Sequence, residues 1–245
     1  MTRQIPMLFS PAMVEALLAG RKTETRRIVP APSHKGVLAR PYYPAKVNGS
    51  WLWCARDGIP DHGVIDEPIR KARTQVGDLI WIKETHYAYG YWRATGETTK
   101  TGRDKVEFVR DGEQPVSFVD HWRKPMSHDP RIPRWNKRPS LFMPKADSRL
   151  TLRVTGFGIE RLHDIDEAGA WAEGCISGGT NENGKPFPAE IPHSSGIGYV
   201  GWDSALDWYA DLWDEINGPD AWDENQWVSV TKFEVIRQNV GEVAK

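Results

Sequence analysis

Apolar side chains along the chain come in short bursts set between long polar stretches, a pattern that predicts several short helices and strands. Met13, Val14, Leu17 and Leu18 recur at helical spacing behind Ser10-Pro11, a capping hydroxyl followed by proline at the first helical position, and Gly20 ends this helix. The polar, β-tolerant run from Arg21 to Arg27 then enters a strand through Ile28 and Val29. Leu79 to Ile82 follow the turn Val76-Gly77-Asp78 as a short buried strand, and Leu150, Leu152 and Val154 alternate with polar residues to mark another. Asp164-Ile165-Asp166-Glu167 reads as a capping box opening a short helix that Gly174 closes. Leu206, Tyr209, Ala210, Trp213 and Ile216 give an amphipathic helix stopped by Asn217-Gly218-Pro219. Trp227 to Ile236 form a last strand, whose apolar phase shifts between Val230 and Phe233 and suggests a bulge.

Two regions, residues 30–75 and 85–145, are rich in Pro, Gly and aromatics and show no clear period. They read as long insertions into one domain spanning residues 1–245, since a chain of this length can bury one decorated core. Asn48-Gly49-Ser50 inside the first insertion reads as a turn.

Charge changes this picture only locally. Lys and Arg total 32 against 33 Asp and Glu, a net charge of −1 that demands no polyanionic partner. Between His121 and Arg153, however, nine basic residues face only Asp129 and Asp147, while eight acidic residues and no basic one lie between Asp203 and Glu224. The basic run is either a solvated face or a rim that steers a phosphate-bearing ligand. Cys54 and Cys175 stand far apart without metal-ligand spacing, and the seven histidines show no HxxxH pair, so neither a disulfide framework nor a metal site is expected. No segment approaches the roughly 18 apolar residues of a membrane span, and the N-terminus lacks a signal-peptide core, so a cytoplasmic, membrane-free protein is expected. Gly196-Ile197-Gly198-Tyr199-Val200-Gly201 fits a dinucleotide-binding pattern, but no apolar strand precedes it and it reads as a loop. Twelve tryptophans exceed what a core of this size needs. Trp51, Trp53, Trp81, Trp92 and Trp171 are therefore candidates to stack on a base.

The segment Leu18 to Arg26, LAGRKTETR, resembles the LxGxKTxTxR signature at the head of ASCH domains. Gly77-Asp78 with the strand behind it resembles the second landmark of that family, Leu162 to Gly174 its central helix and Trp227 to Ile236 its closing strand. SLFMP at Ser140 to Pro144, SRLTL at Ser148 to Leu152 and the run from Trp213 to Val228 are similar to the long ASCH proteins carried by phages and prophages. The resemblance covers about half the chain. It implies an α+β fold, a PUA-like β-barrel with flanking helices and two long insertions.

Small bacterial members of the family are N4-acetylcytidine amidohydrolases, whose catalytic set is a lysine and a threonine of the KTxT segment with a glutamate of the central helix. Carried over by position, these are Lys22, Thr25 and Glu173. The chemistry suits them. Deacylation of an exocyclic amine needs a nucleophile, a base to activate it and an acid for the departing amine. Thr25 supplies a hydroxyl. Lys22, crowded by Arg21, Arg26 and Arg27, is placed to be the base, and Glu173, just before Gly174, to be the acid. Arg21, Arg26, Trp81, Glu84 and Trp171 are the candidate substrate-binding residues. The expected activity is a metal- and cofactor-independent hydrolysis of N4-acylated cytidine or cytosine, with a small nucleoside or nucleobase as partner. The alternative is a non-catalytic reader of RNA or of a modified base. In the plainest reading of the residues, Lys22 caps the preceding helix, Thr25 is an ordinary strand residue and Glu173 a solvated helix charge.

Overall fold

The computed structural model describes residues 2–30, 43–54, 67–69, 74–119, 129–192 and 199–244. In chain order the first elements are β1 (Gln4–Leu8), α1 (Pro11–Leu18), β2 (Glu24–Ile28), β3 (Tyr43–Val47), β4 (Ser50–Cys54), β5 (Glu67–Pro68) and β6 (Leu79–Lys83). Next come β7 (His86–Thr98), β8 (Asp104–Arg110), β9 (Arg134–Arg138), β10 (Thr151–Arg161) and α2 (Glu167–Ala172). The chain ends with β11 (Ser177–Thr180), β12 (Pro186–Pro188), β13 (Ile191–Pro192), β14 (Tyr199–Val200), α3 (Ala205–Asn217), β15 (Trp227–Ile236) and α4 (Val240–Val243). The fold class is mixed α+β, rich in strands. Its largest sheet has the order β1-β6-β10-β15-β2. This sheet is open, and no closed barrel is found among the described residues.

The helices and strands expected from the apolar pattern form, although α2 is opened by Asp166 rather than by a capping box of Asp164 with Glu167. The Ser10 hydroxyl accepts from Met13 N at 3.3 Å at the start of α1, and Gly20 leaves the helix at φ +73°. Asp166 caps α2 by accepting from Gly169 N at 2.7 Å. The bulge expected in β15 is not seen against β2, where Val228 to Lys232 pair with Ile28 to Glu24 in unbroken register. The apolar phase shifts because Val228, Ser229, Val230 and Thr231 are all buried, so both faces of the strand are covered there. The Asn48-Gly49 turn is a hairpin between β3 and β4, with both residues at positive φ.

The region 85–145 departs from its reading as irregular chain. It carries the sheet β8-β7-β9, including the 13-residue β7. Its strands were hidden because Gly90, Gly96 and interspersed charges interrupt the alternation of β7. Much of the first insertion, the Gly196 end of the glycine loop and part of the basic run lie outside the described residues.

The chain divides into two compact units. The first comprises residues 1–2, 15–78 and 152–235, and the second residues 3–14, 79–151 and 236–245. In the first, Leu162, Ile165, Ala170, Tyr209, Trp213 and Val228 form a core between α2, α3 and β15, and Val29, Trp53 and Ile69 form a second cluster. In the second, β1 and β6 pair in parallel, and Leu79 and Trp81 pack on Val240 of α4.

Candidate functional site

Lys22 lies in the turn between α1 and β2. The backbone amides of Arg21 and Lys22 both donate to Ala16 O, at 3.0 and 3.2 Å, which closes the helix. Thr23 N then donates to Ala172 O at 2.8 Å, and Thr23 O accepts from Phe233 N at 2.9 Å, so this turn is tied to the end of α2 and to β15. The result brings Lys22 against Glu173, 151 positions away in sequence. Lys22 Nζ donates to Glu173 Oε2 at 2.5 Å and to Glu173 O at 2.9 Å. Gly174 permits the approach. Its φ is +113°, and a Cβ there would sit 2.9 Å from Ala16 Cβ and 3.3 Å from Lys22 Cβ.

Lys22 is 1% exposed and Glu173 5%. Burial pulls the Lys22 ammonium below the ordinary lysine value of 10.5, against the opposing attraction of Glu173. Two further groups hold the carboxylate. Arg26 Nη1 donates to Glu173 Oε1 at 3.2 Å, and the Tyr209 hydroxyl of α3 lies 3.5 Å from the same oxygen. Burial, and then the Glu173 charge, push the Tyr209 hydroxyl well above its ordinary value, so it stays a donor.

Arg26 also links this floor to more open groups. Its Nε donates to Glu160 Oε1 at 2.9 Å, its Nη2 lies 3.4 Å from Glu24 Oε2, and Glu24 Oε1 meets Lys232 Nζ at 2.6 Å. Glu160 and Lys232 expose 30% and 60% of their side chains, so they lie at the solvent side of the cluster and Lys22 at its floor. Gly169 leaves room for the guanidinium, since a Cβ there would fall 2.9 Å from Arg26 Nη2.

Lys22, Arg26 and Glu173 are therefore in direct contact. Thr25 is buried on β2 opposite Thr231 of β15. Strand alternation directs its side chain to the face opposite that of Glu24 and Arg26, and among the described residues no hydrogen bond joins it to Lys22. Arg21 is half-buried and its Nε has no hydrogen-bond partner. Trp171 packs on the core, and its indole N–H donates to Glu167 at 3.0 Å. Trp81 and Glu84 have other surroundings, within the second unit. Trp81 packs on Leu79 and Val240, and the Glu84 carboxylate takes a two-pronged contact from Arg149 at 3.0 and 2.8 Å. Sequence reasoning missed Glu24, Glu160, Lys232 and Tyr209. Glu24 shares the strand parity of Arg26, which is a usable signal. Tyr209 was read as a core position of its helix, and it is one, with its hydroxyl turned to Glu173.

Among the described residues no three His, Cys, Asp or Glu side chains are grouped to hold a metal ion, and no helix is long and apolar enough to cross a membrane. No protein-family model, no curated protein and no solved structure matches the chain.

Proposed function

We propose that the Lys22–Glu173 centre hydrolyses the amide of an N4-acylated cytidine or cytosine, in a chain related to the ASCH domains and their PUA-like barrel. The observation that carries this reading is the pair itself, a buried lysine with a lowered affinity for its proton held 2.5 Å from a carboxylate. Burial penalises the charged lysine, and passage of its proton from Nζ to Oε2, against the pull of Arg26 on the carboxylate, leaves a neutral amine and a carboxylic acid. The neutral amine is then a base and the protonated carboxyl an acid, the two roles that deacylation needs.

In the first step the neutral Lys22 takes the proton of the Thr25 hydroxyl as Oγ bonds to the acyl carbon. For this step Lys22 must turn from Glu173 towards Thr25. The C–N4 bond breaks as the amine receives a proton from Glu173, and cytidine leaves. Water, deprotonated by the regenerated carboxylate, then cleaves the threonine ester as Lys22 returns its proton to Thr25 Oγ, and the carboxylic acid is released. Arg26 and Tyr209 hold Glu173 in place throughout.

A second reading, a site that binds a modified base without turning it over, is favoured by Thr25, which has no hydrogen bond to Lys22 and projects from the other strand face. Incubation of the purified chain with N4-acetylcytidine, followed by ultraviolet absorbance, separates the two. Hydrolysis gives a time-dependent cytidine spectrum proportional to enzyme. Binding with an unchanged spectrum favours the reader.

A further inference from the structure

Glu24, Arg26 and Lys232 share one face of the largest sheet, with Lys232 opposite Glu24 and Val230 opposite Arg26. Strand β10 flanks β15 on its other side. At one end of that contact Leu162 N donates to Gln226 O at 2.9 Å, and at the other a Cβ on Gly156 would fall 3.4 Å from Lys232 Cβ. The numbering runs in opposite senses, so the strands are antiparallel, and Gly158 falls beside Val230 and Glu160 beside Val228 on this same face. The Lys232 stem covers Gly156, whereas a Cβ on Gly158 would meet nothing within 4 Å. Between Lys232 and Glu160 the face is therefore a notch of bare backbone, and glycine inside a strand is suited to the close approach of a flat group.

Glu160 borders this notch and is held from one side only. Its Oε1 accepts from Arg26 Nε at 2.9 Å, and among the described residues its Oε2 makes no hydrogen bond. The same guanidinium gives its Nη1 to Glu173 Oε1 at 3.2 Å. Arg26 thus fixes two carboxylates at once, Glu173 at the buried floor and Glu160 with 30% of its side chain exposed.

We infer that Glu160 selects the substrate, accepting the N–H of a secondary amide at N4 while the pyrimidine ring lies over Gly158. The inference rests on the hydrolytic reading of the Lys22–Glu173 centre, which supplies the substrate. The base of an N4-acylated cytosine has one N–H, on the amide nitrogen, and that nitrogen also receives the Glu173 proton. It must come within reach of Glu173, and Arg26 sets a second, more open carboxylate beside the same position. A carboxylate is a fitting acceptor for the N4–H of cytosine. Glu160 takes no part in the proton transfers and acts on specificity.

The test is steady-state hydrolysis by the full chain of N4-acetylcytidine and of N4-acetyl-N4-methylcytidine, whose amide has no N–H. The parent should favour the first by about 10² in kcat/KM. Glu160→Val removes the acceptor and should lower that preference by about tenfold or more. If Glu160 only props Arg26 and through it Glu173, both substrates slow alike, the preference is unchanged and the inference is overturned. Gly158→Val fills the notch at a position with room for a side chain and should raise KM for N4-acetylcytidine about tenfold. An unchanged KM overturns the inference as well. Either failure leaves hydrolysis, and the reading built on it, standing. A chain that binds both compounds without turnover ends the hydrolytic reading alone, and the same preference, measured as a ratio of dissociation constants by calorimetry, then decides for or against Glu160. A chain that neither binds nor hydrolyses N4-acetylcytidine ends both.

Discussion

At Lys22 two influences of opposite sign meet. Burial disfavours the ammonium and Glu173 favours it, and burial is the larger, so the side chain releases its proton below 10.5. In the unfolded chain it holds that proton more tightly. The contribution of Lys22 to stability therefore rises with pH between its folded value and 10.5, and is least favourable below the folded value. For the proposed hydrolysis the reactive form keeps one proton within the Lys22–Glu173 pair, so log kcat/KM should fall as that proton is lost to solvent, with the fall beginning below pH 10.5. A profile that stays flat through pH 10.5 would remove Lys22 from the reaction. Lys22→Arg should be as inactive as Lys22→Met, because a guanidinium accepts no proton in this range. Thr25→Ser should keep measurable turnover and Thr25→Ala none, whereas Glu173→Gln should lose about 10² to 10⁴ of the rate. Equal activity of the two Thr25 variants would assign the nucleophile elsewhere.

Glu167 shows how one side chain fixes an element. Its Oε1 accepts from Ala205 N at 2.9 Å and its Oε2 from Leu206 N at 3.2 Å, so α2 caps the first turn of α3. Trp171 steadies the same carboxylate. Glu167→Ala should cost about 1 to 2 kcal/mol in urea unfolding and Glu167→Gln less, since the amide keeps one acceptor. Gly174→Ala meets both a disfavoured φ and the Ala16 side chain, and should cost about 1 to 3 kcal/mol. Both positions were legible in part. Gly174 as a helix terminator and the capping signal before Glu167 are local patterns, readable from neighbours in sequence. That Glu167 caps a helix 38 positions later is a tertiary fact, as is the turn of Tyr209 towards Glu173. No period encodes either. The strands of the 85–145 region were missed for a different reason. Tyr87, Tyr89 and Tyr91 do alternate, but with His, Ala and Gly, whose small or polar side chains register as loop unless the covering residues are known. Family resemblance groups Lys22, Thr25 and Glu173 in one site but pairs Lys22 with Thr25, and the contact of Lys22 with Glu173 is a tertiary fact it does not give. Composition and spacing alone left Lys22 as a helix cap.

At the scale of the whole molecule, the two units differ in their chemistry. Both cysteines belong to the first, which makes thiol labelling a selective report on it. Cys54 is fully buried in β4 and Cys175 is 3% exposed behind Gly174, with its thiol pushed up to about 12 by burial and then by Glu167. Only the thiolate reacts with an aromatic disulfide reagent, so at pH 8 Cys175 is protected both by access and by protonation. The native chain should therefore show almost no labelling over hours. In denaturant the Cys175 thiol returns towards the ordinary range, both cysteines become accessible and two equivalents should react. If the first unit opens as one cooperative body, mass spectrometry should find Cys54 and Cys175 labelled with a common urea midpoint, although Cys54 pairs with Tyr43 in the β3-β4 hairpin and Cys175 follows α2. Labelling of Cys54 well before Cys175 would show that the hairpin opens by itself, leaving the turn that holds Lys22 against Glu173 intact.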